Sequence, residues 1–440
     1  MQNTSRAAAL EILERCRRDH AWSGAALDAA VKKYGLDRRD AALASRLSLG
    51  VLQNTAYCDY YIELYAMRRA ESMQPKLLDI LRLGVYQLIF LDKIPSRAAV
   101  NESVSLCRGA GLERSKGLVN AVLRRVAEKR EALPPIPGEG SAEYLSIRYS
   151  HALWLVKRLL AEHDYAFVEG FLAANNRVHG LTIQVNTQKV SVEEYTHALS
   201  RADIPFTEYP ELPGCLSLEG GTVSSLPGYE EGLFYVQDRA ARAAVSITGP
   251  EPGMRLLDAC AAPGGKSFAA ALAMKDQGRI LSCDIHEKKL RLIQSGAERL
   301  GLSSIETLAH DAREVIEDWE EAFDCVLADV PCSGLGVIGK RPEIRNKAEQ
   351  EIAGLPAIQR CILEKVSRYV RRGGTLLYST CTVLNAENRE LVDGFLADHP
   401  EFEAVAFSIG EQIAESGMYT FWPHVDGTDG FFVAKLRRKE

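Results

Sequence analysis

Two cysteines stand where thiol chemistry is expected. Asp329-Val330-Pro331-Cys332-Ser333-Gly334 and Tyr378-Ser379-Thr380-Cys381-Thr382 each follow a short apolar run that predicts a buried strand. In a doubly wound sheet such strand ends open on one crevice, so two thiols meet at one site. Carbon 5 of a pyrimidine is a poor nucleophile. A thiolate added to carbon 6 turns the ring into an enamine that can attack an electrophilic methyl group, and this covalent route divides one difficult step into easier ones. The carbon-5 proton must then leave and the thiol must be eliminated, which calls for a base; an acid such as Asp329 beside the ring can hydrogen-bond its N3 and amino edge. The chemistry alone does not say which cysteine attacks. A disulfide between them is disfavoured in a reducing compartment.

The run Leu256-Leu257-Asp258-Ala259-Cys260-Ala261-Ala262-Pro263-Gly264-Gly265-Lys266-Ser267 predicts a strand entering a glycine turn and then a helix. It ends like a phosphate-binding loop, but that motif needs glycine where Cys260 stands, and it is not a G-x-G-x-x-G fingerprint either. Carboxylates at later strand ends make it more specific. Asp284 ends the next strand, 26 residues after Asp258, where an acid can grip ribose hydroxyls; Asp311 and Asp329 follow the third and fourth strands. Four acids without a phosphate site suit a phosphate-free nucleoside with a cationic centre, S-adenosylmethionine. For any single acid, capping of the following helix is the simpler account. Cys260, inside the loop, is expected to serve packing or backbone placement.

These motifs require an alternating strand–helix region. Strands are expected at Arg255–Asp258, Arg279–Asp284, 305–308, Phe323–Asp329, 374–379 and 430–436, with helices between most of them. Upstream, 4–130 reads as successive amphipathic helices, with a Thr4/Ser5 cap and apolar Leu77, Leu78, Leu81, Val85, Leu88 and Ile89 at helical spacing. Pro134-Pro135-Ile136-Pro137-Gly138 cannot continue a helix and marks a linker. A small α+β module follows, with a strand at Leu181–Val185 and a helix at 193–202, and a helix is expected over 236–247. The resulting division is 1–130 helical, 131–141 linker, 142–235 small module and 236–440 catalytic domain.

The 440 residues carry a net charge of -6, which hides a partition. Residues 1–130 hold 22 Lys and Arg against 14 Asp and Glu, a net of +8, leaving 31 against 45, a net of -14. A basic module joined to an acidic remainder suits a polyanionic partner, although a solvated helical surface accounts for the charge equally well. Arg124, Arg125, Lys129 and Arg130, near one helix C-terminus, also complement its dipole. The ten cysteines include no C-x-x-C pair, so neither a zinc site nor a secreted disulfide framework is expected. No stretch reaches the roughly 20 apolar residues that cross a bilayer, and a cytoplasmic protein without membrane or metal partners is expected.

Together, Asp258 to Lys266, Asp329 to Gly334 and Ser379-Thr380-Cys381-Thr382 with Glu387-Asn388 resemble the RNA cytosine-C5 methyltransferases. Arg97-Ala98-Ala99-Val100-Asn101-Glu102-Ser103-Val104 is similar to the NusB-like domain of the Sun/Fmu (RsmB-type) 16S ribosomal RNA enzymes. Family features recur at Ala173-Ala174-Asn175-Asn176, Phe234-Tyr235-Val236-Gln237-Asp238 and Asp429-Gly430-Phe431-Phe432. The resemblance implies a multidomain protein: an all-α NusB-like RNA-binding domain, a small α+β RNA-recognition module and an α/β Rossmann-like S-adenosylmethionine-dependent methyltransferase domain. It implies cofactor binding by Cys260, Ala261, Ala262, Pro263, Gly264, Gly265, Lys266, Asp284, Asp311 and Asp329. It makes Cys381 the nucleophile, Cys332 the residue that helps release product, and Asp329 the acid beside the ring. Departures fall at Ser150-His151-Ala152, Val178-His179-Gly180 and Gln184-Val185-Asn186, in the RNA-facing middle region.

The expected activity is methylation of carbon 5 of a specific cytosine in 16S ribosomal RNA through a covalent cysteine adduct, by a protein expected to be a monomer. The alternatives are the same chemistry on transfer RNA or 23S ribosomal RNA, and a catalytically dead RNA-binding or antitermination factor. Retention of both cysteines, Asp329 and the glycine loop speaks against the last.

Overall fold

The computed structural model describes residues 4–19, 21–177, 180–219 and 223–440. Val178 and His179, two of the departures noted above, lie outside them. The chain forms two compact units, Met1–Arg177 with Ile338–Glu349 and Val178–Val337 with Gln350–Glu440.

The first unit is helical because its apolar residues recur at helical spacing and its helix starts are capped. Thr4 caps the helix Ser5–Arg18 by accepting from the Ala7 amide at 3.2 Å, and the Ala8, Leu10, Ile12 and Leu13 face is buried. Pro75 opens Pro75–Phe90, where its fixed φ and missing N–H are harmless, and Leu77, Leu78, Leu81, Val85 and Leu88 are buried there. The proline stretch is non-helical as expected, and it is packed: Ile136 is buried with Tyr57 and Tyr61, and Tyr61 donates to the Pro134 carbonyl at 2.9 Å. Helices Ala142–Tyr149, Leu153–Glu162 and Tyr165–Ala174 belong to this unit, as does the segment 338–349.

The second unit contains two main sheets. The smaller is antiparallel, with β1 (Leu181–Val185), β2 (Phe206–Glu208), β3 (Cys215–Leu218) and β4 (Phe234–Val236) in the order β2-β3-β1-β4. The helix Val192–Arg201, opened by a Ser191/Glu194 capping box, buries Tyr195 and Leu199 against Ile183, Leu216 and Phe234. The helix expected from residue 236 starts instead at Arg239. Asp238 is its N-cap and Val236 pairs with Ile183 in the sheet, because three apolar-rich residues beside a strand edge are worth more as a fourth strand than as a first helical turn.

The larger sheet comprises β5 (Arg255–Asp258), β6 (Arg279–Asp284), β7 (Ile305–Ala309), β8 (Phe323–Asp329), β9 (Val370–Thr380), β10 (Phe402–Ala404), β13 (Met418–Phe421) and β14 (Phe431–Arg438); β11 (Phe407–Ile409) and β12 (Gln412–Ala414) form a separate hairpin. Its order is β10-β14-β9-β8-β5-β6-β7, with β13 also on β14. Strands β5 to β9 are parallel and β14 runs antiparallel to β9, so the sheet is mixed. The chain moves outward from β5 through β6 to β7 and returns on the other side of β5 as β8. That reversal, between β5 and β8, is where open α/β sheets bind ligands beyond the strand carboxyl ends. Asp258 and Asp329 end the two strands that flank it.

Candidate active site

The glycine loop leaves β5 at Asp258 and enters the helix Gly265–Ala273. Its backbone is fixed by the sheet: the Ala259 amide donates to the Leu327 carbonyl at 2.9 Å and the Ala261 amide to the Cys283 carbonyl at 2.7 Å. The Ala262–Pro263 bond is cis, and Gly264 caps the helix with φ +111°. A Cβ at Gly264 would fall 2.6 Å from the Phe268 ring, so only glycine serves there.

The four acids divide in two. Asp284 accepts from the His286 amide at 2.9 Å, and Asp311 accepts from the Arg313 amide at 3.0 Å and from its guanidinium, which holds that carboxyl below the usual range. These two do cap local turns. Asp258 and Asp329 do not. Asp258 is fully buried, accepts from Ser267 Oγ at 2.7 Å through Oδ2, and has no partner at Oδ1. Burial pushes its carboxyl up to about 7, with the neighbouring Asp329 and Asp284 adding to the effect. Asp329 accepts from Lys266 Nζ at 2.6 Å through Oδ2 and from Ser379 Oγ at 2.8 Å through Oδ1. Lys266 is nearly buried and its ammonium also lies 5.0 Å from the centre of the Phe431 ring. The loop lysine is thereby directed at the acid of the Pro-Cys motif, a partnership that sequence spacing did not reveal.

The two cysteines meet. Cys332 Sγ lies 3.1 Å from Cys381 Sγ, and both are half-buried thiols. The neighbouring Cys381 thiol, and then burial, push the Cys332 thiol well above the usual cysteine range. Their loops are joined independently of sulfur: the Gly336 amide donates to the Cys381 carbonyl at 2.9 Å and Ser333 Oγ to Thr382 Oγ1 at 2.7 Å. Gly336 and Gly430 touch so closely that a Cβ on Gly336 would fall 1.8 Å from the Gly430 carbonyl oxygen, which ties the Asp429-Gly430-Phe431 motif to the Cys332 loop. Cys260, whose thiol burial also raises far above the usual range, sits apart from this pair within the glycine loop.

Behind the pair, Glu387 is buried and accepts from the Ser333 amide at 2.9 Å and from Gln359 Nε2 at 2.8 Å. Asn388 accepts from Thr380 Oγ1 at 2.6 Å and donates to the Thr382 carbonyl at 3.0 Å. Glu387 and Asn388 stood in the sequence motif without a role. Gln359 carried no signal, being one polar residue on the amphipathic helix Leu355–Ser367.

The chain resembles known proteins over its whole length. The 16S rRNA methyltransferase RsmB/F family matches residues 245–437, an RsmF/B-like ferredoxin-like domain matches 151–224 and the NusB family matches 3–128. A Bacillus subtilis (strain 168) protein named "Probable ribosomal RNA small subunit methyltransferase B" is 34% identical over 100% of both chains. The chain belongs to the 16S rRNA methyltransferase RsmB/F family. A further member, the ribosomal RNA small subunit methyltransferase B of Klebsiella pneumoniae (strain ATCC 700721 / MGH 78578), is 33% identical over 91% of both chains. The crystal structure of PH0851 superposes with a TM-score of 0.85 at 27% identity, covering 100% of this chain and 99% of that one. The all-α NusB-like region, the ferredoxin-like small domain and the methyltransferase sheet expected from the sequence are therefore all present.

The RsmB/F family depends on S-adenosylmethionine, and the crevice fits that cofactor. An unpartnered buried carboxylate oxygen on Asp258, with Asp284 and Asp329 nearby, favours a cationic ligand, while the one loop cation that would attract a phosphate is already paired with Asp329. Among the described residues no group of three or more His, Cys, Asp and Glu side chains could hold a metal ion, and no helix is long and apolar enough to cross a membrane.

Proposed function

We propose that the protein methylates carbon 5 of a specific cytosine in 16S ribosomal RNA, with Cys381 as nucleophile and Cys332 as the residue that assists release. The observation that carries this reading is the pair of thiols 3.1 Å apart beyond the carboxyl ends of β8 and β9, beside the Lys266–Asp329 ion pair. Two convergent thiols are superfluous for ordinary methyl transfer to nitrogen or oxygen, whereas a covalent pyrimidine route uses one to add and one to assist elimination. S-adenosylmethionine supplies the electrophilic methyl group when bound, with the residues from Cys260 to Lys266 and the carboxylates of Asp284, Asp311 and Asp329 as the proposed contacts.

Cys381 gives its proton to solvent and its sulfur adds as thiolate to carbon 6 of the cytosine. The pair of the double bond between carbons 5 and 6 shifts toward the N3 and amino edge, which Asp329, held by Lys266 and Ser379, faces, and from the resulting enamine carbon 5 takes the methyl group. After carbon 5 has taken the methyl group, its proton passes to solvent water with Cys332 sulfur as the relay. The electron pair left behind re-forms the double bond between carbons 5 and 6. In the same step the carbon–sulfur bond breaks and its pair returns to Cys381. We assign the RNA contacts to the basic helical region 1–130 and the module 142–235, with 236–440 carrying the chemistry. Part of the basic cluster is engaged at home, since Arg130 pairs with Asp92 at 2.8 Å and Arg125 donates to the Tyr65 carbonyl at 3.1 Å. Arg124 and Lys129 are exposed and suit phosphates.

Bisulfite sequencing of ribosomal and transfer RNA from cells with and without the gene tests the reading. One cytosine of 16S RNA should lose protection in its absence; loss at a transfer or 23S RNA site instead would move the substrate, and no loss anywhere would end the proposal. Arg124→Gln with Lys129→Gln should weaken RNA binding and lower the slope of log affinity against log salt by about 1 per phosphate contact removed; an unchanged slope would take these residues out of the interface.

A further inference from the structure

The turn Pro331-Cys332-Ser333 is held from behind by two side chains to which the chemistry gives no task. Gln359 Nε2 donates to the Pro331 carbonyl at 3.0 Å and to Glu387 Oε2 at 2.8 Å, and the same Glu387 oxygen receives the Ser333 amide at 2.9 Å. The two residues thus grip the peptide groups on either side of Cys332. The orientation of the Gln359 amide is set by the Pro331 carbonyl, which needs a donor, so its oxygen cannot be turned toward that atom. Glu387 Oε1 is buried without a hydrogen-bond partner, so the carboxylate is engaged through Oε2, which serves the turn. Glu387 sits in the segment that follows Cys381, whose backbone is fixed by Tyr378 donating to the Glu387 carbonyl at 2.6 Å. It therefore connects the loop of one cysteine to the loop of the other.

We propose that Glu387, with Gln359, is a positioning residue for the release step: it holds the Pro331-Cys332-Ser333 turn so that Cys332 sulfur stays within reach of the adduct on Cys381. The proposal rests on the assignment of Cys381 to attack and Cys332 to release. Addition to carbon 6 and methyl transfer need Cys381, Asp329 and the cofactor, whereas the hydrogen bonds described for the Glu387 side chain go to Ser333 and Gln359. Elimination needs Cys332 in place. Loosening the turn should accordingly slow release more than it slows adduct formation.

The test uses the full-length protein, S-adenosylmethionine and a 16S RNA transcript, reading both turnover and the RNA-linked protein band on a denaturing gel. Glu387→Leu, which keeps volume and removes the acceptor, should lower turnover by about tenfold to a hundredfold, as expected for loss of a hydrogen bond to a charged group, and should accumulate the band. Glu387→Gln keeps a carbonyl acceptor for Ser333 and Gln359 and should restore most of the turnover, which a role in charge alone would not allow. If Glu387→Leu does not fold, Gln359→Leu removes the same grip from the other side and carries the same expectation. Cys332→Ala is the control. If it accumulates the band while the Glu387 and Gln359 variants either lose band and turnover together or behave as wild type, the positioning role is overturned and the release assignment stands. If Cys332→Ala yields no band, the release assignment falls and takes this inference with it.

Discussion

Among the described residues each unit buries one Lys or Arg almost completely, and the two are used in opposite ways. Lys266, in the catalytic unit, is 8% exposed and faces the carboxylate of Asp329 at 2.6 Å. Arg345, on the segment 338–349 of the helical unit, is 0% exposed and faces neutral oxygens: its Nη1 donates to the carbonyls of Gln53 at 2.7 Å and Ser150 at 3.2 Å and to Asn176 Oδ1 at 2.8 Å, and its Nη2 donates to the Asn175 carbonyl at 3.3 Å. Burial without a carboxylate pulls the guanidinium down to about 9. The lysine orients the acid that we assign to the substrate's edge. The arginine closes the ends of chain segments, giving donors to carbonyls that no helix or strand satisfies. Burial of a charge therefore does not mark a reactive site; the nature of the partner does. His151, beside Arg345 and buried with its Nδ1 donating to the Tyr149 carbonyl at 2.7 Å, makes the same point, since burial holds it neutral and it too serves the backbone.

The largest expected effect is at the reactive end. Cys381→Ala should abolish methyl transfer while cofactor binding, followed by calorimetry, stays close to wild type; retained activity would remove the nucleophile from the reactive region. Lys266→Met comes next, because it leaves the half-buried Asp329 without its counter-ion and only Ser379 to hold it. Losing a hydrogen bond to a half-buried carboxylate costs about 1.5–3 kcal/mol, and we expect both a lower denaturation midpoint and a collapse of kcat. If stability falls and kcat does not, Lys266 is as structural as Arg345 and the contrast fails. Arg345→Met should strip the donors from at least three carbonyls and destabilise the full chain by about 1–3 kcal/mol, yet leave single-turnover methylation by the folded fraction unchanged. A chemical defect without a stability defect would reverse its assignment.

The smallest effect concerns pH. Asp258 has its folded value near 7 against an ordinary 3.8, so between those values the unfolded chain has released a proton that the folded chain still holds. Stability contributed by this group therefore declines as pH rises from about 4 to about 7 and is level above that. Asp258→Asn should flatten that decline in denaturant titrations of the cofactor-free protein. In the wild type, S-adenosylmethionine should bind more tightly as pH rises through 7, when the buried carboxylate gains its charge; a pH-independent affinity would show that Asp258 lies outside the cofactor's field.

Most of the strand framework was legible in advance because buried parallel strands are written as contiguous apolar runs ended by an acid or a glycine. Arg255–Asp258, Arg279–Asp284 and Phe323–Asp329 fall where the sequence pattern puts them, while β9 extends to Val370–Thr380 and β14 to Phe431–Arg438, since strand ends depend on which neighbour is there to pair with them. The short strands β4, β10 and β13 carry too few residues for a period to show, and Val236 reads as readily into a helix as into a strand.

What the sequence determined alone was the chemistry available: two thiols at strand ends, a glycine turn that no phosphate loop matches, and a series of acids, all set by residue type and local spacing. Tertiary structure decided which of these act together. Lys266 and Asp329 are 63 residues apart and Cys332 and Cys381 are 49 apart, and only the crossing of β5 with β8 and of β8 with β9 places each pair at 2.6 Å and 3.1 Å. It also separated acids that cap their own turns, Asp284 and Asp311, from those that do not, Asp258 and Asp329. Local spacing specifies a side chain's neighbours along its own element, whereas the partner that sets its charge and reach is chosen by strand order, which no single segment encodes.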